Sequence, residues 1–263
     1  MDKKDIFRMA EDSRFISVIY NYCDQWCERC SFTFRCMTYA IEAADIDNPA
    51  SRDINNRAFW DKLQEIFKQT EEMIKEIAEQ MGVDLNSIDP KTISEKMDIH
   101  EATADSHELI VAARCYGKMA DIWLDSGYPI FGKKEEELND LLAIGIDEVK
   151  IHNEAADIQD AVEVIRWYQH QIYVKLKRAL IKDDLFDKNA EVMLSDANGS
   201  VKVALIGIDR SIGAWGKLLD YFPEKTDDVL DILLHLDRLR RKTEDMFPQA
   251  RSFKRPGFDH MHC

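Results

Sequence analysis

Long apolar runs are missing from this 263-residue sequence, and no window reaches the roughly 18 uninterrupted apolar residues of a membrane span. The first residues, with Asp2, Lys3, Lys4, Asp5, Glu11 and Asp12, hold no apolar stretch of signal-peptide length, so a reducing cytoplasm is expected. Positive charge is also short. Lys and Arg total 35 against 50 Asp and Glu, and a net charge of −15 repels phosphate backbones and anionic lipid. Neither a nucleic acid nor a membrane is therefore an expected partner, and no protein or small-molecule partner can be named. The basic stretch Arg238-Leu239-Arg240-Arg241-Lys242 reads as a complement to the negative end of a helix. No Gly-rich phosphate loop, dinucleotide fingerprint or Gly-x-Ser-x-Gly elbow occurs, which removes support for nucleotide and serine-hydrolase chemistry.

Strand alternation and internal repeats are absent too, whereas helical periodicity is plentiful. From Phe59 the residues Leu63, Ile66, Phe67, Ile74, Ile77 and Met81 recur at steps of three and four, and Gly82 closes the run. Asp89-Pro90 opens a short helix, the aspartate as cap and the proline in the first turn. A third helix is predicted from about Ile99 to Leu124. Between Lys134 and Lys182 there is no proline, and Ile151, Ala155, Ile158, Val162, Ile165, Ile172, Leu176 and Ala179 form a near-heptad seam that Gly145 bends or breaks. Asp196-Ala197-Asn198-Gly199-Ser200 reads as a loop. It leads into a helix ending at Pro223, and Thr226 or Asp227 caps a last one ending near Met246.

Cysteine is scarce except in one place. Cys23, Cys27, Cys30 and Cys36 crowd into fourteen residues, and only Cys115 and Cys263 follow. In a reducing compartment such a cluster reads as a metal site before a disulfide framework. If Ile16 to Cys30 is helical, Cys23, Cys27 and Cys30 share one face at i, i+4 and i+7, and Cys36 folds back to complete a set of four. Tetrahedral thiolate coordination suits zinc, and four cysteines equally suit a cubane iron–sulfur cluster, which is slightly preferred. Arg29 and Arg35 flank the ligands, where they would lower the thiol pKa, and Trp26, Phe32 and Phe34 would shield the site.

The spacing Cys23-x3-Cys27-x2-Cys30 resembles the cluster-binding motif of the radical SAM enzymes, and Cys27-x2-Cys30-x5-Cys36 resembles part of an auxiliary-cluster motif found in some of them. The resemblance covers fourteen residues. It implies spacings compatible with an iron–sulfur centre and does not carry the activity, because that family is built on an α/β barrel and this chain has no strand pattern.

A second candidate site lies in the bundle. Glu101, Asp105 and Glu108 follow i, i+4, i+7 on the predicted third helix, and Glu163 and His170 stand two turns apart on the fourth stretch. Facing carboxylates and histidine hold two irons in ferritin-like proteins, but the Glu-x-x-His that such a site expects twice is nowhere in the chain. Asp209 and Arg210 interrupt a helix apolar on all sides, which predicts that at least one is a buried charge with a partner, and Gly207 and Gly213 would permit close approach. Trp167, Tyr168 and Tyr173 read as packing residues, and His260, His262 and Cys263 as part of a terminal tail.

The expected architecture is all-α, a multi-helix and mainly antiparallel bundle with an N-terminal four-cysteine metal-binding segment. Residues 1–47 carry the cysteines, 48–247 the bundle and 248–263 an irregular tail, within one structural domain. The leading functional expectation is a cytoplasmic metalloprotein, redox-active or iron-regulated. Its rivals are a helical interaction or scaffold protein with a structural zinc clip, and a ferritin-like di-iron carboxylate oxidase.

Overall fold

The computed structural model describes residues 3–44, 49–51, 53–87, 89–126, 128–181 and 190–259, and among them it is all-helical, with nine α-helices and no strand. None of the described helices is long and apolar enough to cross a membrane. The chain divides into two units, one of Met1–Asp98 with Lys254–Cys263 and one of Ile99–Phe253. Of the tail expected at 248–263, the described residues 254–259 fall in the first unit.

In the first unit, α1 (Lys3–Ala10) and α2 (Met37–Ala43) flank the cysteine segment, and α3 (Arg57–Met81) follows. The Asn56 side chain accepts the Ala58 N–H at 3.0 Å to start α3. Gly82 stops it in the left-handed region, at φ 69°, where its missing Cβ removes the steric cost. Asp89 accepts from the Lys91 N–H and the Thr92 hydroxyl (3.1 and 2.7 Å), opening α4 (Pro90–Asp105) with proline in its first turn as expected.

The single helix predicted from Ile99 to Leu124 is instead two. α4 ends at Asp105 and α5 (Glu108–Ser126) begins afresh, because the His107 ring Nδ1 accepts the Leu109 N–H at 3.2 Å and acts as an N-cap. After α6 (Tyr128–Ala143), Gly145 turns the chain at φ 79°, and the Asp147 carboxylate accepts from Val149 and Lys150 to start α7 (Glu148–Leu180). α8 (Ala190–Tyr221) stops ahead of Pro223, and α9 (Thr226–Met246) follows a single 3-10 turn.

Cross-helix pairs fix the directions. Arg178 meets Asp196 and Lys217 meets Asp157, each at 2.8 Å, so α7 and α8 run antiparallel. Arg114 bonds Tyr173 and Gln169 bonds Asp121, which makes α5 antiparallel to α7. Lys242 meets Glu108 and His235 meets the Ala112 carbonyl, which does the same for α5 and α9. Helices α5, α7, α8 and α9 therefore close a ring around one core. Its centre is aromatic: Trp215 donates to the Tyr116 hydroxyl at 3.2 Å, and Trp123 meets Trp215 edge-on at 5.0 Å.

Two expectations for α8 are corrected. Asp196–Ser200 is helix rather than loop, since Arg178 holds the Asp196 carboxylate and Asn198 and Ser200 are buried, so packing overrides turn propensity. Asp209 and Arg210 are not a buried pair. Asp209 sits on the rim with Arg251 (2.5 Å) and Arg240 (3.7 Å), while the exposed Arg210 donates to the Tyr168 hydroxyl.

Of the two glycines singled out, only Gly207 is a contact point: a Cβ there would lie 2.9 Å from the Tyr168 ring and 3.1 Å from Ile172, whereas one on Gly213 would meet nothing within 4 Å. Gly207→Ala is expected to destabilise the bundle by about 1–3 kcal/mol through overpacking. Gly213→Ala should instead stabilise it by about 0.5–1 kcal/mol through helix propensity. Urea unfolding of both variants checks the opposite signs.

Candidate metal centre

The cysteines do not ride on one helix. Ile16–Cys30 folds as a string of short turns, and its closing bond is the Ile16 N–H donating to the Arg35 carbonyl at 3.0 Å, which draws the two ends of the segment together. Single 3-10 turns at Ile19–Tyr22, Cys27–Arg29 and Thr33–Arg35 are each followed at once by a cysteine: Cys23, Cys30 and Cys36. Cys27 opens the middle turn, and the Cys30 N–H returns to its carbonyl at 3.2 Å. Val18 and Gln25 take positive φ (54° and 56°), a conformation costly for side chains with a Cβ, and both stand just before or between these turns.

All four sulfur-bearing residues line one cavity of about 30 Å³, with Trp26, Phe32 and Phe258 among its walls. Trp26 is buried beneath the Arg29 guanidinium, 4.1 Å above its ring, and Phe32 meets Phe258 edge-on at 5.0 Å. Phe34, expected as a shield, is 75% exposed and points away from this role. The unforeseen wall comes from the far end of the sequence. Gly257, at φ 79°, lies so close to Ile16 and Ile19 that a Cβ would stand 2.7 and 3.1 Å from them, and the Arg255–Asp259 pair closes the loop that presents Phe258. Aromatic character in an otherwise polar tail was the only signal for it in the sequence.

Electrostatics around the thiols also differ from expectation. Burial pushes the Cys27 thiol from its usual 9.0 up to about 11, and Glu42 and the other three cysteines push the same way, so the flanking arginines do not activate it. Arg35 is turned to the Arg14 carbonyl at 3.2 Å. The Phe32 N–H donates to the Cys30 sulfur at 3.4 Å, a bond that strengthens when the sulfur is a thiolate. Among the described residues, no group of three or more His, Cys, Asp or Glu side chains, the four cysteines included, is arranged so that it could hold a metal ion, so the expected metal-binding segment is not shown. The four cysteines thus share the lining of one partly buried cavity without forming a ligand set. His260, His262 and Cys263 lie outside the described residues.

The carboxylates of the bundle are not brought together. Asp105 is held by Arg114 (2.7 Å) and Lys177 (3.1 Å), and Glu101 shares that lysine. Glu108 pairs with Lys242 across to α9, on a different helix from Asp105 because of the break at His107. Glu163 accepts from Gln159 beside a groove of about 810 Å³ between α6 and α7, and His170 lies against Gly117. The Glu101, Asp105 and Glu108 pairings serve helix–helix attachment, whereas Gln159–Glu163 lies within α7. Comparison with protein-family models, with curated proteins and with solved structures finds no match to this chain.

In metal-free protein, Cys27 should be alkylated by iodoacetamide at pH 8 on the order of tenfold or more slowly than the exposed Cys115, because its thiolate fraction is small. Peptide mass mapping over time reads both rates. The same shift makes the metal-free unit lose stability as pH rises from about 9 towards about 11, where an unfolded chain ionises Cys27 and the folded one does not.

Proposed function

We propose that Cys23, Cys27, Cys30 and Cys36 bind a single zinc ion as a structural clip, in a helical protein whose role is to present binding surfaces rather than to catalyse a reaction. The observation that supports this reading is that all four cysteines line one cavity of only about 30 Å³, small for a four-iron cube. The donor set agrees with it. Four cysteine sulfurs in a reducing compartment suit zinc, which brings no redox chemistry and cross-links the points it touches.

The need for a clip follows from the segment itself. Apart from Ile19 and Trp26, residues 4–44 contribute no buried side chain, and their backbone includes two strained φ angles. So small a core cannot hold three separate turns in register, whereas a metal bond to four points of the chain can. Binding must also deprotonate Cys27 against its raised pKa, so affinity falls as pH is lowered.

Metal analysis of protein purified without oxygen should give about one zinc per chain. The same sample should be colourless, without sulfur-to-iron charge-transfer bands. Chelation should lower the calorimetric melting temperature of part of the molecule and leave the 99–253 bundle transition in place. Bound iron with visible absorption would replace zinc by a cluster, and a melt unmoved by verified metal removal would end the structural role. Cys30→Ser should reproduce the effect of chelation.

A further inference from the structure

Residues 254–259 form a strap on the cysteine segment, and both belong to the first unit although the whole 99–253 bundle separates them in the chain. The strap is braced from within. The Asp259 carboxylate accepts from the Arg255 backbone N–H, Nε and Nη2 at 2.9, 3.1 and 3.0 Å, and the same guanidinium lies 4.8 Å from the centre of the Phe258 ring. Its seating is apolar. Phe258 meets Phe32 edge-on, and the Gly257 backbone rests on the Ile16 and Ile19 side chains. Phe258 is the strap's contribution to the lining of the cavity that Cys23, Cys27, Cys30 and Cys36 share, and Gly257 holds the strap from outside that lining. A segment that keeps its own shape and is seated by non-directional contacts can lift and return as one piece.

We propose, resting on the zinc reading above for the identity of the ion, that the strap is a gate on this cavity, and that its lifting sets the rate at which the ion reaches and leaves the four thiols. The seating contacts fall on Ile16, Ile19 and Phe32 rather than on a sulfur, so they do not discriminate a filled cavity from an empty one. An element that favours both states equally shifts no equilibrium and changes only how fast they interconvert. A plain wall of the site would act differently, strengthening the bound state and slowing exit alone.

Gly257→Ala keeps every side chain of the cavity lining and sets a Cβ 2.7 Å from Ile16, which unseats the strap. Zinc-loaded Gly257→Ala mixed with excess 4-(2-pyridylazo)resorcinol should lose zinc about tenfold faster than wild type, and the metal-free variant should take up added zinc faster by the same factor, at unchanged affinity. Uptake is read by tryptophan fluorescence, since Trp26 is a wall of the cavity. Without metal, the variant should raise the iodoacetamide alkylation rates of Cys27 and Cys30 by about fivefold or more, while Cys115 in the second unit keeps its rate. Asp259→Ala, which removes the brace and no packing contact of Gly257, should move every rate the same way by a smaller factor and carries the test if Gly257→Ala does not fold. Faster exit with unchanged entry would make the strap a wall and overturn the gate. So would wild-type rates in variants whose far-ultraviolet circular dichroism is unchanged. A wild-type chain that takes up no zinc ends the zinc reading by itself, and the metal-free alkylation rates then decide the gate, acceleration supporting it and wild-type rates overturning it.

Discussion

The close approach of α7 and α8 is the contact on which the rest of the bundle is assembled. Gly207 presents bare backbone to Tyr168 and Ile172, and along the same interface Arg178–Asp196 and Lys217–Asp157 tie the two ends. With these two long helices fixed, α5 and α9 each lie against one of them and against each other, which closes the ring. Gly117 serves the second approach, between α5 and α7, where a Cβ would stand 3.2 Å from the Gln169 carbonyl. The core thus depends on two missing side chains as much as on the aromatic ones that fill it. Interiors packed at crystal-like density leave no slack for the methyl group that either site lacks.

Charged residues in this bundle mark its outer edges. Lys177 gathers Glu101 and Asp105, Lys242 reaches Glu108, and Arg251 with Arg240 holds Asp209. Each pair is partly solvated, so its contribution to stability is small, about 0–1 kcal/mol. Their effect is on register: they favour one sliding position between helices whose apolar seams would tolerate several. The strong acidic excess of the sequence is accordingly spread over helix faces rather than concentrated in a site.

Much of the fold was legible because it follows from period and punctuation. Phe59 to Met81 with its closing Gly82, the Asp89-Pro90 start, the Gly145 break and the stop before Pro223 all report local chemistry. What was not legible depends on contacts between distant residues. Nothing near Ser106-His107 announces a break, because the deciding bond is a histidine ring acting as a cap, a role more often taken by Ser, Thr, Asn or Asp. Asp196 to Ser200 has loop composition and becomes helix only because α7 buries it. The cysteine segment shows both sides. That the four cysteines lie near one another could be read from their density, but the chain of 3-10 turns that sets them along one cavity could not, since a helical face would serve the same spacings. Arg35 looked like a thiol activator by proximity in sequence, yet its side chain is turned to a backbone carbonyl.

Phe258 and Gly257 close the cavity that residues 19–36 open, so the N-terminal unit is discontinuous, interrupted by the entire 99–253 bundle. During translation the cysteine segment leaves the ribosome ahead of the bundle but lacks this wall until residues 254–259 emerge. The bundle, continuous in sequence, has all its parts before then. Until residues 254–259 have emerged, the four thiols are therefore open on one side to solvent.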